Sequence, residues 1–158
     1  MSDPAHTFDL DAFLAEPHVV QVATNGPTIR PLWFQWEDGV FWVISGPWAK
    51  LFTRLHTDPK VALLVEVNEA DTGRVYQVMA RANAEFTPYD IPKVRRMLHR
   101  YLGSDESTWS TAPDDYPGYL RGDGPPGAVL LRLEPTWLKT FNYSYANSEF
   151  AAPVPAQH

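Results

Sequence analysis

The chain contains no cysteine, which removes disulfides, thiolate nucleophiles, cysteine-ligated iron–sulfur clusters and zinc–thiolate sites from consideration. Any redox chemistry must come from a bound cofactor. Long apolar runs are also missing, none approaching the ~18 residues of a membrane-spanning helix, so no membrane partner is expected. The opening MSDPAHTFDLDAFLAEP is acidic where a secretory leader has a basic stretch followed by an apolar one, and a cytoplasmic location is expected. Positive charge is scarce: 13 Lys and Arg face 19 Asp and Glu, for a net charge of -6. Nucleic-acid binders carry a basic surface that displaces counterions, so no nucleic-acid partner is expected and a small-molecule ligand is favoured. His6, His18, His56, His99 and His158 show no i, i+4 pairing or carboxylate company, so no metal site is expected. No G-x-S-x-G elbow supports hydrolysis.

What is present is a chain of 158 residues, 44% hydrophobic and 13% aromatic, enough for the core of one domain. Residues 8–142 read as that core and 143–158 as a tail. FDLDAFLAE, residues 8–16, has helical spacing and stops at Pro17. Three β-rich runs follow, HVVQVAT, TIRPLWFQW and VFWVIS, separated by the turn signals NGP and EDG. In the second run Ile29, Pro31, Trp33 and Gln35 alternate with Arg30, Leu32, Phe34 and Trp36. Both faces are largely apolar, so the strand should be covered on both sides, with Pro31 marking an edge or a bulge.

AKLFTRLHTD reads as an amphipathic helix ended by Asp58-Pro59. KVALLVEV and RVYQVMARANAEF read as strands, and PYDIPKVRRMLHRYL as a helix whose outward face carries Lys93, Arg96 and Arg100. That basic face, with Arg95 and His99, should be solvated and balanced by nearby acids. Residues 103–127 lack periodicity and are dense in Gly, Pro, Asp and Ser, the texture of a functional lid or a disordered loop. AVLLRLEP and TWLKTFNY close the pattern as a hairpin. The fold expected is mainly β with α: roughly six or seven strands, mostly antiparallel, forming a β-barrel with flanking helices.

A ligand site is suggested by SGPWAKLFTRL, residues 45–55. A Gly-Pro turn leading into a helix start frees backbone N–H groups, and Lys50 adds positive charge there, so a phosphate could meet amides, the Ser45 hydroxyl and an ammonium together. Arg54 lies one turn on. Arg30, among apolar neighbours, needs an anion or a carboxylate partner. Of the six tryptophans, Trp48 and Trp109 fall in loops and are candidates to stack near a ligand; the rest read as core or interface.

The stretch GPTIRPLWFQWEDGVFWVISGPWAKLFTRLHTDPKVALLV, residues 26–65, resembles the pyridoxamine 5'-phosphate oxidase-like flavin-binding split barrels, including their actinobacterial flavin/deazaflavin oxidoreductase branch. The resemblance rests on a P-x-W-F strand, a D-G turn, an aromatic strand ending in Ser, and a lysine opening a helix that closes on D-P. It implies a six-stranded split barrel that dimerises, with the cofactor in a groove at the subunit interface. It further implies that Leu32, Trp33 and Phe34 line the flavin ring through their backbone, that Ile44 and Ser45 meet the ring and ribityl chain, and that Lys50 binds the phosphate. Many members have Ser-Arg before that lysine, where this chain has Trp48-Ala49, so Arg54 or Arg30 would have to supply the lost contact. The function implied is FMN-dependent two-electron transfer to or from a small organic substrate. Coenzyme F420 is the alternative cofactor, a non-catalytic flavin carrier or a dead site the alternative role, and haem on His18 or His56 an outside possibility.

Overall fold

The computed structural model describes residues 7–153; His6, His158 and the end of the tail lie outside them. The elements in chain order are α1 (Leu10–Ala15), β1 (Val20–Thr24), β2 (Thr28–Leu32), β3 (Gln35–Glu37), β4 (Val40–Ser45), α2 (Lys50–Thr57), β5 (Lys60–Glu69), β6 (Arg74–Asn83), β7 (Glu85–Pro88), α3 (Ile91–Leu102), β8 (Val129–Leu133) and β9 (Pro135–Asn142). The strands form two antiparallel sheets, β2-β1-β5-β6-β9 and β3-β4-β8-β7, and not one closed six-stranded ring. Val22, Leu63, Val65 and Val78 of the first sheet meet Phe41, Val43, Leu131 and Leu133 of the second in the main core, which Leu14 of α1 and Leu51 and Leu55 of α2 complete. A second, smaller cluster fills the far side of the four-stranded sheet, where Val94 and Leu98 of α3 meet Leu130 and Trp109.

Four chain segments pass from one sheet to the other, β2–β3, β4–β5, β6–β7 and β8–β9, and all but the second correct a reading of the sequence. TIRPLWFQW is two strands: β2 pairs with β1 in one sheet and β3 with β4 in the other, with Trp33 in the second cluster and Phe34 in the main core. Between them the Phe34 amide and carbonyl are bonded to the side chains of Tyr101 and Arg100 and not to a neighbouring strand, so the ladder stops there. Fully burying a Phe contributes roughly 1.5–3 kcal/mol over leaving it exposed. RVYQVMARANAEF likewise splits at Ala84, whose N–H donates to the Pro59 carbonyl at 2.8 Å. The expected closing hairpin is absent: β8 pairs with β4 and β7, whereas β9 pairs with β6. Pro31 sits on the edge strand β2, where its missing N–H costs no ladder bond. Within one chain that strand is not covered on both sides, since Ile29 is 59% exposed.

The helices follow their sequence signals closely. In α2, Leu51 and Leu55 supply the buried stripe, and the Asp58 N–H donates to the Arg54 carbonyl just before Pro59 stops the helix. In α3, the Asp90 side chain accepts from the Lys93 N–H, Pro92 stands in the first turn, and Gly103 at φ 85° ends the helix. The basic face is balanced by acids as expected at Arg96, paired with Glu37 at 2.6 Å, and at Arg95 and His99, both on Glu106.

Arg100 does not point outward with them. It turns in over the Trp33–Phe34 corner, donating to the Leu14 and Glu16 carbonyls at 2.6 Å each, to Gln35 Oε1 at 3.0 Å and to the Phe34 carbonyl at 3.3 Å. Tyr101 works beside it, its hydroxyl donating to the His18 carbonyl at 2.6 Å while accepting from the Phe34 N–H at 3.1 Å.

Residues 103–127 are a packed wall rather than a free lid. Two short 3-10 turns, Glu106–Thr108 and Tyr116–Leu120, hold them to α3, with Trp109 5% exposed. The Trp109 indole donates to the Gly103 carbonyl at 3.1 Å, and the Tyr89 hydroxyl donates to the Tyr119 carbonyl at 2.6 Å. The described part of the tail also has structure: the Tyr145 N–H donates to the Gly73 carbonyl and Phe150 packs edge-on against Tyr76. Among the described residues no helix is long and apolar enough to cross a membrane.

Candidate functional site

Strand β4 ends at Ser45, and the Gly46–Ala49 turn, closed by the Ala49 N–H on the Gly46 carbonyl at 3.0 Å, carries the chain into α2. Strand β2 runs alongside. Between them lies a cavity of about 350 Å³ lined by Arg30, Leu32, Ile44, Ser45, Trp48, Ala49, Lys50 and Leu51. Five of the eight candidate site residues therefore share one cavity: Arg30, Leu32, Ile44, Ser45 and Lys50. Trp33 lines the adjoining one. Phe34 and Arg54 line neither. The Phe34 side chain is fully buried, and its amide and carbonyl are taken by Tyr101 and Arg100. Arg54 is exposed one turn along α2, with its guanidinium near Gly26.

Three features of the cavity suit an anion. The Ser45 hydroxyl is buried with no hydrogen-bond partner, a condition that costs roughly 1–3 kcal/mol unless something else satisfies it. Helix α2 begins at Lys50, and its N-cap Ala49 supplies no side-chain cap. The Ala49 and Phe52 amides are bonded to the Gly46 and Ala49 carbonyls, which leaves the Lys50 and Leu51 amides as the first-turn donors, and the helix dipole adds partial positive charge. Lys50 and Arg30 are both exposed, so Arg30 is not the buried guanidinium in need of a counterion that its apolar neighbours suggest. Neither has an ion-pair, hydrogen-bond or ring partner among the described residues, whereas Arg74, Arg95, Arg96, Arg121 and Arg132 are paired to acids. Unpaired cations, free amides and an orphaned hydroxyl on one wall are the donor set that a phosphate needs.

Trp48 lines both this cavity and a second. Its ring lies over the Gly46 backbone, where a Cβ would come within 2.1 Å of it, so the glycine provides the ring's seat. The second cavity, about 210 Å³, is lined by Leu32, Trp33, Ile44, Trp48, Met97, Leu98, Tyr116 and Tyr119. Trp33 stacks on Tyr101 at 4.5 Å and on Tyr116 at 5.6 Å between ring centroids, which fixes one wall. Burial, and next to it the Asp114 charge, pushes the Tyr119 phenol up, so it stays protonated at neutral pH. Tyr116 and Tyr119 escaped notice in the sequence because they sit in an aperiodic segment; the only signal was aromatic density in a loop rich in proline and glycine.

Trp109 is not at the site, being buried against α3. The two histidines considered for haem line neither cavity. His18 is held by Glu16 and packed on Phe13, and burial lowers its pKa; His56 is exposed and bonded to the Phe52 carbonyl. Among the described residues no group of three His, Asp or Glu could hold a metal.

Compared with known proteins, the chain matches the pyridoxamine 5'-phosphate oxidase family model over residues 8–142. It belongs to that family. No curated protein matches it. Among solved structures it is similar to a FAD-binding protein from Mesorhizobium loti, with 17% identity, 85% of this chain and 92% of that one covered, and a TM-score of 0.56. It is also similar to an F420 reductase, with 18% identity, coverage of 82% and 94%, and a TM-score of 0.56. The haem storage protein HutZ from Vibrio cholerae shares 17% identity over 84% and 90% of the two chains, with a TM-score of 0.60. At such identities the likeness is one of fold, and these relatives bind different groups on it.

Proposed function

We propose that this chain is a flavin-nucleotide-dependent oxidoreductase acting on a small organic substrate, with the nucleotide phosphate held at the Ser45–Lys50 turn. The observation that carries this reading is the buried, partnerless Ser45 hydroxyl between two unpaired cations and an uncapped helix start. Lys50 neutralises phosphate charge from the helix side and Arg30 from the strand side. Ser45 hydrogen-bonds the phosphate or the ribityl chain, and Leu32 and Ile44 exclude water from the space beside it. A bound flavin supplies the two-electron chemistry, while the protein supplies binding, orientation and a dry wall. We read the paired sheets with their four crossing segments as the split-barrel architecture, and the P-x-W-F and S-G-P-x-x-K motifs as its flavin/deazaflavin branch.

FMN is favoured over coenzyme F420. Trp48-Ala49 removes one arginine contact, but Arg30 reaches the same cavity and can replace it for a terminal phosphate. The glutamate tail of F420 wants a basic, open path, and Asp114 and Asp115 stand exposed beyond the second cavity. Parallel fluorescence-quenching titrations are expected to show saturable FMN binding that is tighter than F420 binding. The reverse order would replace the cofactor, saturation by neither would remove the flavin reading, and FMN binding without turnover on any reductant would leave a carrier.

A homodimer completes the proposal. The outer face of the five-stranded sheet is open in one chain and carries Ile29, Met79 and Trp137 at 59%, 41% and 40% exposure. A second copy would cover this face and stand next to the cofactor groove. Stable dimers of this kind bury ~2,000 Å² or more. Analytical ultracentrifugation should give twice the 17.9 kDa chain mass at micromolar concentration; a monomer there removes the dimer.

A further inference from the structure

We infer that the aromatic cavity between Trp33, Trp48, Tyr116 and Tyr119 is a substrate subsite separate from the phosphate cradle, shaped for an uncharged planar compound of one or two rings. The inference rests on the cofactor reading above, and it names the substrate class that reading leaves open. The two cavities share only Leu32, Ile44 and Trp48. Every cationic or orphaned donor lies on the larger one, so a nucleotide anchored by its phosphate occupies the cradle and leaves the aromatic slot to a second molecule.

The slot's chemistry is narrow. Its polar side-chain groups are two phenols and two indoles, all neutral, and no ionised side chain lines it. An ionised substituent placed there would lose water without gaining a partner, which is costly in an apolar surround. Flat aromatic walls favour ring stacking. The volume of about 210 Å³ lies below the ~300–1,000 Å³ of pockets for drug-sized ligands, which restricts the occupant to a small ring system. The walls are already in place: Trp33 is clamped by Tyr101 and Tyr116, and the turn bearing Tyr119 is pinned through its carbonyl by the Tyr89 hydroxyl. A phosphorylated or carboxylated substrate would thus be rejected from the slot.

The test is calorimetric titration of the full chain, alone and saturated with FMN, using 2-naphthol and naphthalene-2-sulfonate as a neutral and an anionic probe of similar shape. 2-Naphthol should bind in both states, at least tenfold more tightly than the sulfonate. Tyr119→Asp should weaken 2-naphthol binding at least tenfold and leave FMN affinity unchanged, while Tyr119→Phe, which keeps the ring, should preserve both. Equal or tighter sulfonate binding overturns the inference, as does loss of 2-naphthol binding on FMN saturation, which would assign the slot to the flavin ring. The two proposals fail separately. FMN binding with no 2-naphthol binding sinks the slot alone, whereas selective 2-naphthol binding with no flavin binding sinks the cofactor reading and leaves the slot. The comparison of probes on the unaltered protein decides the matter even if Tyr119→Asp does not fold.

Discussion

Lys50→Ala is expected to lower flavin affinity by roughly tenfold to more than a hundredfold while leaving the melting temperature within a degree or two. The magnitude follows from a charge-assisted hydrogen bond of ~1.5–3 kcal/mol, with each 1.4 kcal/mol worth about a factor of ten. Stability should hold because Lys50 is exposed and has no partner among the described residues to lose. Arg30→Ala should act in the same direction, and the double variant more than either alone, if both meet one phosphate. Rising salt should weaken binding to the unaltered protein and flatten the difference between it and the Lys50 variant. A fluorescence titration giving the same dissociation constant for Lys50→Ala and the parent would show Lys50 to be an ordinary surface lysine.

Arg100→Met is expected to have the largest effect on stability. The substitution keeps most of the apolar stem but removes a guanidinium that satisfies the carbonyls of Leu14, Glu16 and Phe34 and the Gln35 amide oxygen. Each buried acceptor left without a donor costs ~1–3 kcal/mol. Water can reach some of them once the side chain shortens, so the net loss should be on the order of 3 kcal/mol. For a chain of this size that corresponds to a melting temperature lower by about 6–12 °C. The corner it holds carries Trp33, so flavin binding should weaken along with the fold. A loss below about 1 kcal/mol in urea would mean that the corner stands on Tyr101 and Phe34 packing alone.

The sequence made some of this legible for clear reasons. Helix α2 was readable because its apolar stripe is bounded by Asp58-Pro59, a local stop that tertiary packing does not override. That Ser45 and Lys50 share a cavity was readable because a Ser-Gly-Pro turn and a following lysine are contiguous in the chain. The Trp33–Phe34 corner was not readable. Both residues are good strand formers, and the break comes from distant side chains, Tyr101 and Arg100, which take the Phe34 amide and carbonyl out of any ladder. Arg100 was misread for the same reason. Helical spacing puts it on one face with Lys93 and Arg96, but the sheet under α3 ends where a corner exposes carbonyls, and a long side chain can turn back to reach them. Tyr116 and Tyr119 were invisible as site residues because 3-10 turns anchored by Asp115 impose no period that a pattern can reveal.

The four passages between sheets also govern how the molecule can be made. The five-stranded sheet is assembled from residues 20–32, 60–83 and 135–142, and the four-stranded one from 35–45, 85–88 and 129–133. Neither is a continuous length of chain. As the polypeptide leaves the ribosome, no sheet can be finished until the last two strands emerge, and β6 keeps an open edge until β9 arrives. Such an edge is a template for pairing with another chain, and the wait is long in a topology dominated by distant contacts. The unfinished protein is thus most exposed to misassembly just before β8 and β9 emerge, and a cut anywhere between α2 and β8 would leave two pieces, each holding strands of both sheets and able to complete neither.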